Sequence, residues 1–250
     1  MYWKFANSNA RALGSMHMLP AGQQLPEWAL QAYQWADELV FESDPPSILT
    51  VAQSGSTSPL RQALSPKAWS FLKSFWPQNS PLPALREARP WAVMLFSMAL
   101  RQRTVEGVEA VFMRMAQQDG KPVHFLETAS DIGRAFDTIP LESVVQAVES
   151  LAADPDQPQR SLVSMCKSWL AGDAQGVYDV AASSTSFQDA AVRNAVLGIR
   201  NRAWVNGALP ALARGSRKTL IAVGALHLVG PESALDLLGL SHGRLALGQA

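Results

Sequence analysis

Cysteine is almost missing from this chain: Cys166 is the only one in 250 residues. A single thiol excludes an intramolecular disulfide framework and a Cys-based zinc site. Between Met165 and Lys167, with no partner motif, Cys166 reads as a small buried side chain rather than a nucleophile. An excess of either charge is missing too. The 21 Lys and Arg balance 21 Asp and Glu, so there is no electrostatic footprint for nucleic acid. Long apolar runs are absent. The longest, Trp91 to Leu100, is interrupted by Ser97 and bounded by Arg89-Pro90 and Arg101-Gln102-Arg103. A spanning helix needs ~20 apolar residues, so this run predicts a buried core helix and no membrane span. The start, Met1-Tyr2-Trp3-Lys4-Phe5, lacks the apolar region of a signal peptide. That predicts a cytoplasmic location, with a periplasmic one following only if the chain has been trimmed. There is also no phosphate-binding Gly loop, no H-E-x-x-H, no G-x-S-x-G and no basic aromatic motif.

What is present suits a globular protein. The apolar fraction is 48% and the charged fraction 17%, enough to bury a full core and too apolar for disorder. Asn7-Ser8-Asn9 separates two strand-sized pieces within 2–17. A helix is expected from Glu27 to about Asp37, then a short strand at Leu39-Val40-Phe41-Glu42. The Ser/Gly/Thr-rich stretch 47–60 reads as a mobile loop. Ser65-Pro66 is an N-cap followed by Pro at the first helical position. Helices are expected at about 86–101, 104–118, 129–137, 141–152, 160–171, 174–182 and 187–213, and from Pro231 through Leu238. Asp154-Pro155-Asp156-Gln157-Pro158 reads as a linker. Pro122 to Glu127 and Lys218 to Val223 read as strands. The fold class is α/β (mixed α+β): a central mixed sheet built from both chain ends, flanked by helices. A helical middle insertion at about 59–118 completes one domain over 1–250. Seven tryptophans, Trp28, Trp35, Trp69, Trp76, Trp91, Trp169 and Trp204, sit mostly at helical spacing and read as core.

Three of the four histidines follow a Gly by three residues: Gly14/His17, Gly224/His227 and Gly239/His242. Gly239 is placed to cap a helix C-terminus, which leaves His242 without a role. The other two follow apolar strand-like runs. Gly at a strand end lets the backbone turn sharply, and ligands collect at such ends. Imidazoles there suit a metal or a general base; the alternative is a pair of buried histidines bonded to backbone. Glu42 and Glu127 each end a short apolar strand, where a carboxylate is costly unless paired, protonated or metal-bound. Two histidines and a glutamate make a common catalytic-metal set; a salt bridge with arginine is the alternative for either Glu. Arg200-Asn201 lies shortly before the last strand, with Arg193-Asn194 two turns earlier. Such pairs either clamp a substrate carboxylate and orient a carbonyl, or form a solvated helix face.

These residues resemble the TraB/GumN/Tiki superfamily. Val223-Gly224-Ala225-Leu226-His227-Leu228-Val229-Gly230-Pro231 looks like its closing signature, and Leu13-Gly14-Ser15-Met16-His17-Met18-Leu19-Pro20 like its opening one. Ala36 to Glu42, Gly120 to Thr128 and Arg200-Asn201 match the intervening steps in order. Gly107-Val108-Glu109 stands where the family shows G-V-D, and Asp131-Ile132 where it often shows Gln. The resemblance implies a sheet with helical cover akin to ChaN-like proteins and erythromycin esterases. Animal Tiki members are metal-dependent proteases using two G-x-x-H motifs and a glutamate, which implies a metal site of His17, Glu42 and His227. Mn²⁺ or Co²⁺ is favoured, with Zn²⁺ as an alternative. Glu42 would be ligand or base. Glu127 and Arg200 would orient the substrate or the ligands, supported by Gly14, Asn201 and Gly224. The leading expectation is a hydrolase of peptides, with a small-molecule substrate as the other choice. A non-catalytic binding or inhibitory protein of the TraB type, or a metal-free esterase-like hydrolase, is the alternative.

Overall fold

The computed structural model describes residues 1–53 and 58–245. Eight strands are found there: β1 Tyr2–Phe5, β2 Ala10–Ser15, β3 Met18–Pro20, β4 Glu38–Phe41, β5 Thr104–Glu106, β6 Val123–Phe125, β7 Thr219–Gly224 and β8 His242–Arg244. Six form one mixed sheet in the order β6-β4-β7-β2-β1-β8, so the two chain ends do supply most of it. β6, β4, β7 and β2 run parallel, while β1 and β8 are antiparallel additions. β7 is buried at every position, as its Thr-Leu-Ile-Ala-Val run requires in the middle of a sheet covered on both faces. The β1–β2 hairpin turns at Asn7, whose φ of 57° is one that Asn tolerates better than most residues. Four parallel strands therefore end along a single sheet edge, and every candidate histidine and carboxylate follows one of those ends.

Helices cover the sheet. One core cluster joins it to Trp28, Tyr33, Phe112, Trp169 and Trp204; a second cluster, built from helices and their connections with no residue of the six-stranded sheet, gathers Leu72, Trp76, Trp91, Phe136 and Val148. The apolar run expected as a core helix is the helix Pro90–Leu100, with Trp91 to Met94 buried in the second cluster. Among the described residues no helix is long and apolar enough to cross a membrane. Ser65 caps the helix Pro66–Phe75 as expected, its side chain accepting from Ala68 N. Cys166 is buried, and burial pushes its thiol pKa up.

Five expectations need correction. Thr104–Glu106 is a strand rather than the start of a helix: it pairs antiparallel with β3 in a separate two-stranded ribbon. Gly107 then opens the helix Val108–Asp119, which packs Phe112 and Ala116 on the sheet. Part of the stretch expected as a loop is helical, a turn at Pro45–Ser47 leading into Ile48–Ala52; residues 54–57 of it lie outside the described residues. Of the expected linker at 154–158, Gln157 and Pro158 already open the helix Gln157–Leu170, where Pro fits the first turn. The long helix expected at 187–213 is broken into Ala190–Arg193, a π turn Asn194–Gly198, Ile199–Asn206 and Leu209–Ala213. A Cβ on Gly198 would lie 2.7 Å from Asn194 Oδ1, so its bare backbone admits the Asn194 side chain, which accepts from Arg202 Nη2 at 2.6 Å. The last helix starts only at Ala234, capped by Ser233, because Glu232 takes a left-handed φ of 58°.

Candidate metal centre

The strand ends bring most of the candidate residues together. Glu42 leaves β4 and is buried. Its Oε1 accepts from the Gly224 N–H at 2.6 Å, and its Oε2 from Arg200 Nη2 at 2.5 Å. His17 Nε2 and His227 Nε2 each lie 3.6 Å from the same Oε1. The two imidazoles, 210 positions apart in sequence, therefore approach within twice that distance. A Cβ on Gly224 would come to 3.0 Å from both Glu42 Oε1 and His17 Nε2, so the second G-x-x-H glycine is what lets the backbone pass the centre. Gly14 plays the same part more loosely, with Ala225 Cα 3.1 Å from its missing Cβ.

Arg200 enters from the helix Ile199–Asn206. Its Nε donates to both oxygens of Glu127 at 3.0 and 3.1 Å, and its Nη2 reaches Glu127 Oε1 as well as Glu42. Its Nη1 lies 3.1 Å from His227 Nε2. Asn201, next on the helix, contacts His227 Nδ1 through Oδ1 at 2.6 Å while Nδ2 donates to Glu232 O. An amide oxygen only accepts, so Nδ1 carries the hydrogen and Nε2 presents its lone pair to the centre. The π turn directs Arg193 elsewhere: its Nη1 donates to Phe187 O, so the second Arg-Asn pair takes no part. His124 and His242 are exposed and stand apart from the centre.

Glu109 is the residue that sequence reasoning did not select. It sits in the first turn of the helix Val108–Asp119, and Gly107 brings that turn against the backbone of Met16 and His17. Ser15 Oγ donates to Glu109 Oε1, which also lies 3.0 Å from His17 Nδ1. Glu109 Oε2 is buried with no hydrogen-bond partner among the described residues. The donor atoms of His17, Glu42 and Glu109 all fall within 4.8 Å of one another. His227 stands beside this trio, its Nε2 shared with Arg200. The signal that could have found Glu109 is its place in Gly107-Val108-Glu109, after a glycine that opens a helix.

Electrostatics separates the two histidines. The carboxylates of Glu109 and then Glu42 push His17 up to about 10 against the opposing effect of burial, although 59% of its side chain remains exposed. Burial pushes His227 down to about 3, with Arg200 and His17 adding to the effect. Burial raises the pKa of Glu42, but neighbouring positive charge and the Gly224 N–H outweigh it and hold the carboxyl well below the usual range. His227 counts there only when protonated, which its burial opposes, so the permanent charge of Arg200 carries most of this. Burial pushes Glu127 up in spite of its bonds to Arg200.

The TraB/PrgY/gumN family model matches residues 2–240. The chain belongs to that family. No curated protein and no solved structure matches it. The two G-x-x-H motifs of this TraB/PrgY/gumN chain, its Glu42 and its Arg200-Asn201 pair all meet at one sheet edge.

The residues also fit a divalent metal. Glu42 and Glu127 share the Arg200 guanidinium and Glu109 pairs with His17, so the three carboxylates leave one negative charge uncompensated while His17 is protonated and would leave two were a metal to take the place of that proton. A buried carboxylate oxygen with no partner is costly, and Glu109 Oε2 is one. Mixed imidazole and carboxylate donors suit manganese, cobalt or zinc.

Proposed function

We propose that this chain is a metal-dependent hydrolase of peptide bonds, with a divalent ion held by His17, Glu42 and Glu109 and with His227 at its flank. The observation that carries this reading is the convergence of one donor atom from each of those three residues within 4.8 Å of one another, in a cluster where Glu109 Oε2 is buried without a partner among the described residues. A bound divalent ion lowers the pKa of water and polarises a carbonyl. The chain's own residues divide the remaining work. Glu42 is kept ionised by Arg200 and the Gly224 N–H, and with Oε2 committed to Arg200 it offers Oε1 as a ligand. Glu109 keeps Oε2 free, so it is the carboxylate placed to take a proton from water. His227 works through its Nε2 lone pair, as hydrogen-bond acceptor or additional ligand; its depressed pKa keeps the ring neutral, with no proton on Nε2 to give. Glu127 locks the guanidinium of Arg200, which fixes the angle of Glu42.

A metal-free mechanism with histidine as base fits less well, because neither imidazole titrates near neutrality. The other reading is a metal-binding but inert protein. What favours it is Arg200, whose guanidinium already fills the space between Glu42, Glu127 and His227. The test is calorimetric titration of chelator-treated protein with Mn²⁺, Co²⁺ and Zn²⁺, followed by digestion of a peptide library. Stoichiometric binding together with metal-dependent cleavage supports the hydrolase. Binding without cleavage selects the inert protein, and no binding ends both.

A further inference from the structure

β6 is one of the two edge strands of the sheet, and its free side faces an open groove of about 540 Å³. The groove is lined by Met113, Arg114 and Gln117 from the helix Val108–Asp119 and by Lys121, Val123 and Phe125. Phe125 is 41% exposed, one of the few large apolar side chains so open. The hydrogen bonds fix which backbone groups look into the groove. Leu39 N donates to Pro122 O at 3.0 Å, and Leu126 N to Phe41 O at 2.9 Å. In a parallel pair alternate residues face the partner strand, so Pro122, His124 and Leu126 face β4. Val123 and Phe125 therefore aim their N–H and C=O groups outward, and these groups have no protein partner among the described residues.

The groove leads to the centre. On the helix, Glu109, Met113 and Gln117 are spaced i, i+4, i+8 and share one flank; on the strand, Val123 and Phe125 share one face, and the alternation ends there, since Leu126 N and Glu127 N both donate to Glu42 O. The helix stripe begins at Glu109, and β6 ends two residues before Glu127, so both elements run toward the site. The helix's other flank, with Val111, borders a separate hollow beside β5 and is turned away from Glu109.

We propose that the groove takes an extended peptide, which adds as a strand to the open edge of β6 and delivers a peptide bond to the metal centre; this rests on the hydrolytic reading. Main-chain bonds to Val123 and Phe125 would hold the peptide, as in other cases of strand addition. An apolar side chain would lie on Met113 and Phe125. Arg114 and Lys121 line the groove with no acidic residue; Arg114 pairs with Glu106 at 2.6 Å, while Lys121 Nζ donates to the carbonyls of Tyr33 and Ala36 and has no carboxylate partner among the described residues. The preferred peptide therefore carries an acidic side chain beyond its apolar one, on the side away from the centre.

The test selects peptides from a randomised ten-residue phage library on the full chain bearing Glu42→Gln, then measures exchange of backbone amides with the selected peptide added. Slowed exchange at Val123 and Phe125 is expected, with binding weakened about tenfold or more by Val123→Pro, which removes one outward N–H. Met113→Glu, on the helix flank, should weaken it similarly and serves if the proline variant does not fold. Failure to select any peptide, or peptides that ignore both substitutions, overturns the proposal. So does concentration-dependent protection of the same amides without peptide, which would make a second copy the occupant. Peptides that bind in the groove but are not cut by the Mn²⁺-loaded wild type leave the groove standing and remove the hydrolase. Metal-dependent cleavage unaffected by either substitution does the reverse.

Discussion

Glu42 and Arg200 are two halves of one buried ion pair, and their removal should have opposite signatures. Glu42→Gln leaves Arg200 its three bonds to Glu127, so the guanidinium keeps a counter-charge. The chelated protein should lose about 1–3 kcal/mol, the scale of one altered buried hydrogen bond. Mn²⁺ affinity should fall at least ~10–100-fold, since even residues that only orient ligands have effects of that size. Arg200→Met strands two buried carboxylates and should cost about 3–5 kcal/mol in the same melt. If Glu42→Gln destabilises as much as Arg200→Met and leaves Mn²⁺ binding intact, Glu42 is a structural residue. The histidines add a pH signature in chelator. The stability that His17 gains from Glu109 and Glu42 is fully present below its ordinary value of 6.5 and is lost as pH rises through about 10. His227, folded as the neutral ring, acts oppositely: it destabilises as pH falls from 6.5 toward about 3. Glu42 also loses its contribution on the acid side. The chelated melting temperature should therefore peak close to neutral pH, falling steeply in acid and shallowly in base, because His17 is largely exposed. A flat profile from pH 5 to 10 would contradict these assignments.

Two short elements decide how close the centre is drawn together, and glycine is the variable in both. A Cβ at Gly107 would meet Met16 O at 2.0 Å and the carbonyl carbon of His17 at 2.4 Å, atoms that cannot swing aside. Gly107→Ala should cost about 3 kcal/mol or more and separate Glu109 from His17, abolishing metal binding. Gly14→Ala meets Ala225 Cα at 3.1 Å, a contact relieved by a few tenths of an ångström, and should cost less and preserve some affinity. Thermal melts and Mn²⁺ titrations of both variants check the order. These elements also show what the sequence makes legible. The strand ends are legible because apolar runs stop at a Gly or a Glu, and Glu42, His17 and His227 follow from that. Glu109 is not, because a Glu in a helix's first turn has an ordinary reason to be there, the helix dipole. The ribbon of β3 and β5 is illegible for a related reason: three residues carry too little periodicity, and only pairing across 80-odd positions makes them strands. Arg193-Asn194 looks equivalent to Arg200-Asn201 only while the helix between them is assumed regular. The π turn at 194–198 breaks that assumption, as π turns near functional sites often do.

At the scale of the whole molecule the centre lies where two cores meet. The sheet cluster contributes Trp204, which packs on the His227 ring with centroids 4.4 Å apart, and the helical cluster contributes Phe136, 5.9 Å from the Arg200 guanidinium. Arg200 is thus held from both sides, and its carboxylate partners come from two strand ends. A ligand bound at such a junction stabilises both cores only if they unfold together. Calorimetry of the chelated chain should then give one transition, with equal calorimetric and van't Hoff enthalpies. Saturating it with Mn²⁺ to about 100 times the dissociation constant adds about 2.7 kcal/mol to the folded state. For a domain of this size that corresponds to a rise of roughly 5–10 °C in the whole transition. If the helical cluster were an independent unit, two transitions would appear and Mn²⁺ would move only the one that contains the sheet. Arg200→Met provides the internal check. Removing the side chain that touches both clusters should broaden or split the transition in chelator, whereas Glu42→Gln, which leaves Arg200 seated against Phe136 and Trp204, should lower it without splitting it.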